Sequence, residues 1–219
     1  MEIRISADIK NINPSTSLGF VEARCNNSEH NDSLWLLITA ETIRIRQMLS
    51  FDEIKNLPAV AATRGMYSAC GKDPSRYRPS AEALMRRIVK GQDLYQINTL
   101  VDIINFISLK TGFSIGGFDV SKIQGNVEAG IGRPDELYHA IGRGLLNIEN
   151  LPVLRDEKGA IGSPTSDEER TSIGTDTIQI LLVFYDFGSP EELPVAMNMA
   201  KELLKHHAGA ELIKLEIVH

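Results

Sequence analysis

The sequence predicts a fold of mixed helices and strands, and three stretches predict it. From Ser80 to Lys90, apolar residues recur at Ala81, Leu84, Met85, Ile88 and Val89, the i, i+3, i+4, i+7, i+8 stripe of an amphipathic helix. Asn98 to Thr111, NTLVDIINFISLKT, is apolar nearly all round and reads as a buried helix ended by Gly112. Ile178 to Tyr185, IQILLVFY, is a short apolar run of strand length, rich in residues that favour a pleated sheet.

The other elements follow in chain order. Residues 2–9 alternate at Ile3, Ile5, Ala7 and Ile9 and predict a first strand. Leu18 to Cys25 is a second strand candidate. Ser33 to Met48 reads as a helix capped by Asp32 or Ser33, and Asp52 to Leu57 as a shorter one stopped by Pro58. Ala59 to Cys70 is a further helix candidate that leads into a basic loop. Pro79 with Ser80 as N-cap starts the amphipathic helix, and Gly91 stops it. Gly112 to Asp119 is expected to be a loop in which Gly116 and Gly117 make a tight turn. Strand-like segments follow at Ile123 and Val127, then a hairpin over Leu151–Ile161 turning at Asp156–Gly159. Gly162 to Thr177 is a long polar loop, Pro190 to His207 a helix starting near Ser189, and Leu212 to Val218 the last strand.

Composition narrows the function. A chain of 219 residues with 42% apolar and 24% charged residues is one ordinary globular domain, long enough to bury roughly 70% of its unfolded surface. Its net charge of −6 argues against broad electrostatic binding to nucleic acid, so no DNA partner is expected and an RNA partner would need a local basic patch. Residues 64–90 offer one: Arg64, Lys72, Arg76, Arg78, Arg86, Arg87 and Lys90, with Tyr67 and Tyr77 interleaved. Arg86, Arg87 and Lys90 also suit the negative end of their helix dipole, so a solvated face accounts for them equally. Two cysteines, Cys25 and Cys70, form neither a metal motif nor a disulfide framework, which points to a reduced, cytoplasmic setting. No apolar run reaches the ~20 residues of a membrane span, and the N-terminus lacks a signal peptide's apolar core.

The candidate site residues lie in two places. Asn98, Asp102 and Asn105 share one narrow face of the otherwise apolar helix, and a buried polar group without a partner costs about 1–3 kcal/mol. That stripe therefore pins a backbone loop, of which Gly112–Asp119 is the nearest, or lines a pocket. Asp167 and Arg170 stand in the long loop, as a surface ion pair or as functional groups. His139 reads as a satisfied residue rather than a general base, and the adjacent His206 and His207 cannot share a helix face as metal ligands. There is no G-x-S-x-G, H-E-x-x-H, P-loop or C-x-x-C, so neither a metal nor a cofactor is expected.

From Ile97 to Gly125 the chain reads IN-x-x-VD-x-x-N-x-x-S-L-x-x-G-x-x-x-G-x-FD-x-x-K-I-x-G. This run resembles the editing (B-three/B-four) domain of the bacterial phenylalanyl-tRNA synthetase β-subunit. With GKDPSRYRPSAEALMRR, Gly71 to Arg87, it is closer still to free-standing versions of that domain. The resemblance continues more weakly over Asp156–Thr177 and places residues 61–219 as the editing-domain-like core, with residues 1–60 only loosely placed. It implies an α+β fold with helices packed on an unusual β-sandwich, and a tRNA partner. The synthetase domain hydrolyses tyrosine wrongly attached to the phenylalanine tRNA. Asn98, Asp102, Asn105 and Asp119 match its scaffold. Gly116 stands where synthetase domains usually have a histidine, and Val183 where they have a late-strand glutamate. The expected function is an RNA- or tRNA-binding domain of this kind and not a complete synthetase; hydrolysis of misacylated aminoacyl-tRNA in trans is the stronger form of that reading, for which no catalytic residue is marked. The alternatives are a non-catalytic protein binding an amino-acid-like small molecule on the same scaffold, and a protein-interaction domain.

Overall fold

A computed structural model describes residues 1–219. Ten strands and seven α-helices form three layers. The outer sheet has the order β1 (Ile3–Ile5), β4 (Val127–Ile131), β7 (Pro152–Asp156) and β8 (Gly159–Gly162); β1 runs parallel to β4 and the remaining pairs are antiparallel. The central sheet is wholly antiparallel, in the order β10 (Glu211–Val218), β2 (Ser17–Arg24), β9 (Gln179–Asp186) and β3 (Ile115–Asp119). A two-stranded hairpin of β5 (His139–Ala140) and β6 (Gly144–Leu145) stands apart. The third layer is helical: α2 (Asp32–Met48), α5 (Ser80–Val89), α6 (Thr99–Thr111) and α7 (Leu193–Ala208). The shorter helices α1 (Ala7–Ile12), α3 (Phe51–Ile54) and α4 (Pro58–Ala69) complete the set. No helix is long and apolar enough to cross a membrane.

Strand alternation builds this arrangement. Leu18 and Phe20 of β2 and Leu181, Val183 and Tyr185 of β9 face the outer sheet, where they meet Ile3, Val127, Leu154 and Ile161. Val21 and Ala23 of β2 and Ile180, Leu182 and Phe184 of β9 face the helices, where they meet Leu100, Ile103, Ile107, Met197 and Leu204. β9 is buried on both faces, which is why it reads as an unbroken apolar run. The fold is thus α+β, with helices packed on one side of a β-sandwich. Residues 1–60 supply β1 at one edge of the outer sheet and β2 in the middle of the central one.

Several local expectations are corrected. The first strand stops at Ile5, because the Ser6 hydroxyl accepts the Ile9 N–H and caps α1. Asn31 caps α2, and its side-chain oxygen accepts the Leu34 N–H. Pro58 opens α4 rather than stopping α3, since proline at a first helical position sacrifices only an orphan N–H. Ser80 is the first residue of α5 and not its cap; its N–H goes to the Pro164 carbonyl, tying α5 to the long loop. Helix α7 starts at Leu193, later than Pro190.

The largest correction concerns Gly112–Asp119. Only Gly112 turns, closing α6 at φ 78°, while Gly116 and Gly117 lie within β3, paired with Val183 and Leu182. The glycines serve close packing rather than a turn. A Cβ at Gly116 would strike the Phe118 ring, and one at Gly117 would overlap Ile104 and Ile173.

Candidate functional site

Because β3 is an edge strand, its outer side is open to α6 and to the loop after β8. A cavity of about 610 Å³ lies there. One wall is apolar: Leu84 of α5, Ile97, Val101 and Ile104 on and before α6, Ile115 of β3, and Ile173. Much of the remaining lining is polar: a hydroxyl wall of Ser163, Thr165, Ser166 and Ser172 from the long loop, with Asn105 and Ser108 beside the apolar residues of α6. Two guanidiniums, Arg87 and Arg143, and one carboxyl, Asp167, are its only formally charged groups.

The hydroxyl wall is braced from behind. The Tyr67 hydroxyl pairs with Thr165 Oγ1 at 2.8 Å, and Tyr138 donates to the Ser166 carbonyl at 2.6 Å. Ser163 Oγ takes the N–H groups of Thr165 and Ser166. Asp167 is held on three sides: a β-bridge to Gly162, its carbonyl taking the Ile141 N–H, and Oδ2 taking the Gly117 N–H at 2.9 Å. The edge strand's amide is thereby satisfied by a side chain. Asp167 Oδ1 is sealed from solvent with no partner. Burial, opposed only by the Gly117 N–H, pushes the carboxyl up to about 8, so it is protonated at neutral pH. Burial, with Asp167 nearby, also pushes the Tyr138 and Tyr185 phenols upward. The Tyr185 hydroxyl is a second buried group without a partner. At neutral pH the lining therefore carries two positive charges and no negative one.

The residues singled out in the sequence divide sharply. Asp167, Asn105 and Gly117 come together around the cavity. Asn105 is half-buried there, and its amide makes no hydrogen bond within the protein. Asn98 instead caps α6, accepting the Val101 N–H. Asp102 accepts Trp35 Nε1 at 2.7 Å and the Ile97 N–H, so this stripe fastens α6 to α2 and not to Gly112–Asp119. Burial raises the Asp102 carboxyl, and those hydrogen bonds oppose the rise. Asp119 accepts two bonds from Ser121 and one from the Thr177 hydroxyl; burial pushes its carboxyl up, but these bonds with Lys122 beside it leave it below the usual range. Arg170 makes a bidentate pair with buried Asp156, both contacts at 2.9 Å, away from the cavity lining.

The basic segment also divides. Glu82 is wholly buried and takes both Arg64, at 3.0 Å, and Arg86, at 2.7 Å. These two cations are internal, which corrects the expectation that Arg86 lies on a free face. Arg87 lines the cavity, stacked over the Tyr95 ring at 4.1 Å with Nε donating to the Asp93 carbonyl. Lys72 and Arg76 lie against the Tyr77 ring, in the same loop as Arg78, and Lys90 caps the end of α5. The sequence reading missed Arg143, which sits in the β5–β6 turn and lines the cavity from far along the chain. No spacing pattern marks it.

A profile of the B3/4 domain matches residues 62–209. This chain belongs to the B3/4 domain family. The phenylalanine–tRNA ligase β subunit of Bartonella henselae is 32% identical over 100 residues, which is 45% of this chain and 12% of that protein. An N-terminal fragment of the phenylalanyl-tRNA synthetase β-subunit from Pyrococcus horikoshii superposes over 99% of this chain and 50% of its own length, with a TM-score of 0.50 and 16% identity, a likeness of fold. The chain thus spans about an eighth and a half of these two relatives. The matched region includes every wall of the cavity.

Gly116 and Val183, the two positions at which the sequence resemblance implied departures from the synthetase pattern, are direct cross-strand partners. Val183 is fully buried in the sandwich and is not part of the cavity lining. A Cβ at Gly116 would point at the Phe118 ring and would stand 3.2 Å from Asp167 Oδ1. A Cβ at Gly162 would meet the same ring and the same oxygen. Phe118 fills the space between these glycines, and Asp167 is the polar group that remains.

Proposed function

We propose that the cavity receives the acylated 3′ end of a tRNA, and that the chain hydrolyses the ester in trans. The observation that carries this reading is the cavity itself: in a B3/4 domain, one lining combines apolar side chains, a hydroxyl-bearing loop, two guanidiniums and a single carboxyl that burial holds mostly protonated. The apolar wall suits an uncharged amino-acid side chain, the serine and threonine hydroxyls suit the ribose and ester, and Arg87 and Arg143 suit the terminal phosphates. The lining holds no histidine, cysteine or lysine, and its one carboxyl is protonated. Hydrolysis there needs no covalent enzyme intermediate. A water positioned by Asn105 and the loop hydroxyls attacks the carbonyl, the ester C–O bond breaks, and the free hydroxyl of the terminal ribose relays the proton to its neighbour.

A second reading is an amino-acid-sized free ligand, bound through its carboxylate to the same arginines. It is favoured by Glu82, which removes Arg64 and Arg86 from an RNA-facing surface on a chain of net charge −6. Deacylation of tyrosyl-tRNA of the phenylalanine isoacceptor, beside a panel of other misacylated tRNAs and with binding at two salt concentrations, separates the two. Turnover on any member establishes the editor. Salt-sensitive binding without turnover leaves an RNA-binding module. With neither, thermal stabilisation by free amino acids identifies the second reading.

A further inference from the structure

Strand β10 is an edge of the central sheet, hydrogen-bonded only to β2. Its residues Glu211 to Glu216 are all exposed, which leaves Leu212, Ile213 and Leu215 at 43%, 47% and 38% of full exposure on one strand. An unpaired edge of this length and composition is a template for another strand, and cells normally blunt such edges. Here the charge pattern does more than blunt. Leu215 pairs with Val21 and faces the helices, whereas Lys214 and Glu216 pair with Glu22 and Phe20 and face the other way. Lys214 and Glu216 already contact each other at 2.7 Å along the strand.

We infer that β10 pairs antiparallel with β10 of a second copy of this chain, about a two-fold axis at Leu215, joining the two central sheets into one. In this register Lys214 stands opposite Glu216 of the second copy, twice over. Opposed residues of an antiparallel pair share a face, so the helical layers of both copies fall on the same side. The neighbouring registers are excluded by charge. An axis at Lys214 sets two lysines face to face, and an axis at Glu216 sets two glutamates face to face, each unfavourable across a strand pair. The irregularity between Leu212 and Lys214 ends regular pairing on one side, so the contact is confined to the charged centre. Between α7 and β10, a groove of about 200 Å³ lined by Ala23, Leu204, Ala210 and Leu212 lies on the helical face, with Lys201 and Lys205 at its rim.

The test is the mass of the purified 219-residue chain in solution over a concentration series, by light scattering and sedimentation. The wild type is expected to give a dimer. Lys214→Glu places glutamates opposite Glu216 at both ends and is expected to weaken dimerisation about tenfold or more, from two pairs turned from attraction to repulsion. The exchange Lys214→Glu with Glu216→Lys rebuilds both pairs in the same register and is expected to restore the dimer. Both side chains are half-exposed, so circular dichroism is expected to keep the wild-type spectrum in each variant and to show that the fold is retained. A chain that is monomeric at every concentration overturns the inference. So does a dimer whose strength is unchanged by Lys214→Glu, or one that the double exchange fails to restore.

Discussion

Two carboxyl groups, Glu82 and Asp167, stand near the cleft and are handled in opposite ways. Glu82, on the face of α5 turned from the cavity, is wholly enclosed and answered by two guanidiniums, which donate three hydrogen bonds to its two oxygens. Asp167, in the cavity lining, is given one backbone N–H and an oxygen with nothing to bond. The first is a closed ionic lock that joins α4 to α5. The second is a carboxyl that the fold holds neutral beside open space, at a cost that only a ligand or the geometry of the site explains. The contrast shows that charge density in a sequence does not indicate where charge is available. The richest basic stretch is partly consumed internally, and the cavity lining holds a carboxyl that burial keeps mostly protonated at neutral pH.

Breaking the lock gives the largest effect. Glu82→Gln leaves two mostly buried guanidiniums without an anion, and a loss of about 3–5 kcal/mol is expected in urea unfolding. A loss under about 1 kcal/mol would mean that Arg64 and Arg86 relax to solvent, and would return them to the basic surface.

Asp167→Asn sharpens the other half. The carboxyl is raised from its ordinary value to about 8 in the folded chain, so the folded state binds the extra proton between about pH 4 and 8. Its contribution is fully present below pH 4 and is lost as pH rises towards 8, at about 1.4 kcal/mol per pH unit for a single proton. Wild type is therefore expected to lose stability across that window. Asp167→Asn lacks this slope and is expected to be more stable at pH 7, by about 1–3 kcal/mol in urea unfolding. Parallel stability–pH profiles for the two chains would show that Asp167 ionises normally.

The same contrast explains what the sequence could reveal. The amphipathic stripe at Ala81–Val89, the apolar helix closed by Gly112, the Asp156–Gly159 hairpin and the double-sided strand β9 were legible, because burial imposes period and length on the residues themselves. β3 was not. Its two glycines suggest a turn locally, and only the Phe118 ring and Ile104, brought against them by tertiary packing, require their lack of side chains. Asp167 could be named as a candidate from its loop, but its raised proton affinity comes from burial by tertiary packing, opposed only by the N–H of Gly117, 50 positions away. Arg143 had no signal at all. The resemblance to the synthetase domain supplied the sandwich, which local patterns could not, since pairing β2 between β9 and β10 is a long-range choice.

Arg87 and Arg86, adjacent in sequence, separate binding from stability. Arg87→Ala is expected to weaken tRNA binding about tenfold and lower the salt slope by about one, with the fold intact. Arg86→Ala is expected to leave the salt slope unchanged and to destabilise the chain through Glu82. Equal salt slopes in the two variants would detach the cavity from RNA binding.

The smallest expected effect isolates one hydrogen bond. Asn105 lies between Val101 and Ser108 on the α6 face that lines the cavity, and its amide makes no bond within the protein. A group that makes no internal bond contributes nothing to the folded state that water does not match. Asn105→Ala is therefore expected to change stability by less than about 0.5 kcal/mol. If the amide meets the ligand, removing it costs the complex about 1 kcal/mol, or about fivefold in affinity, with turnover lowered at least as far if it positions the attacking water. Asp102, three residues earlier on the same helix, gives the opposite pattern. Its carboxyl is committed to Trp35 and the Ile97 N–H, so Asp102→Ala is expected to loosen α6 from α2 and lower stability, affecting binding only through the fold. Should Asn105→Ala instead destabilise the chain and leave binding intact, the polar stripe on α6 would be structural along its whole length, and the ligand would have to be read by the loop hydroxyls with Arg87 and Arg143.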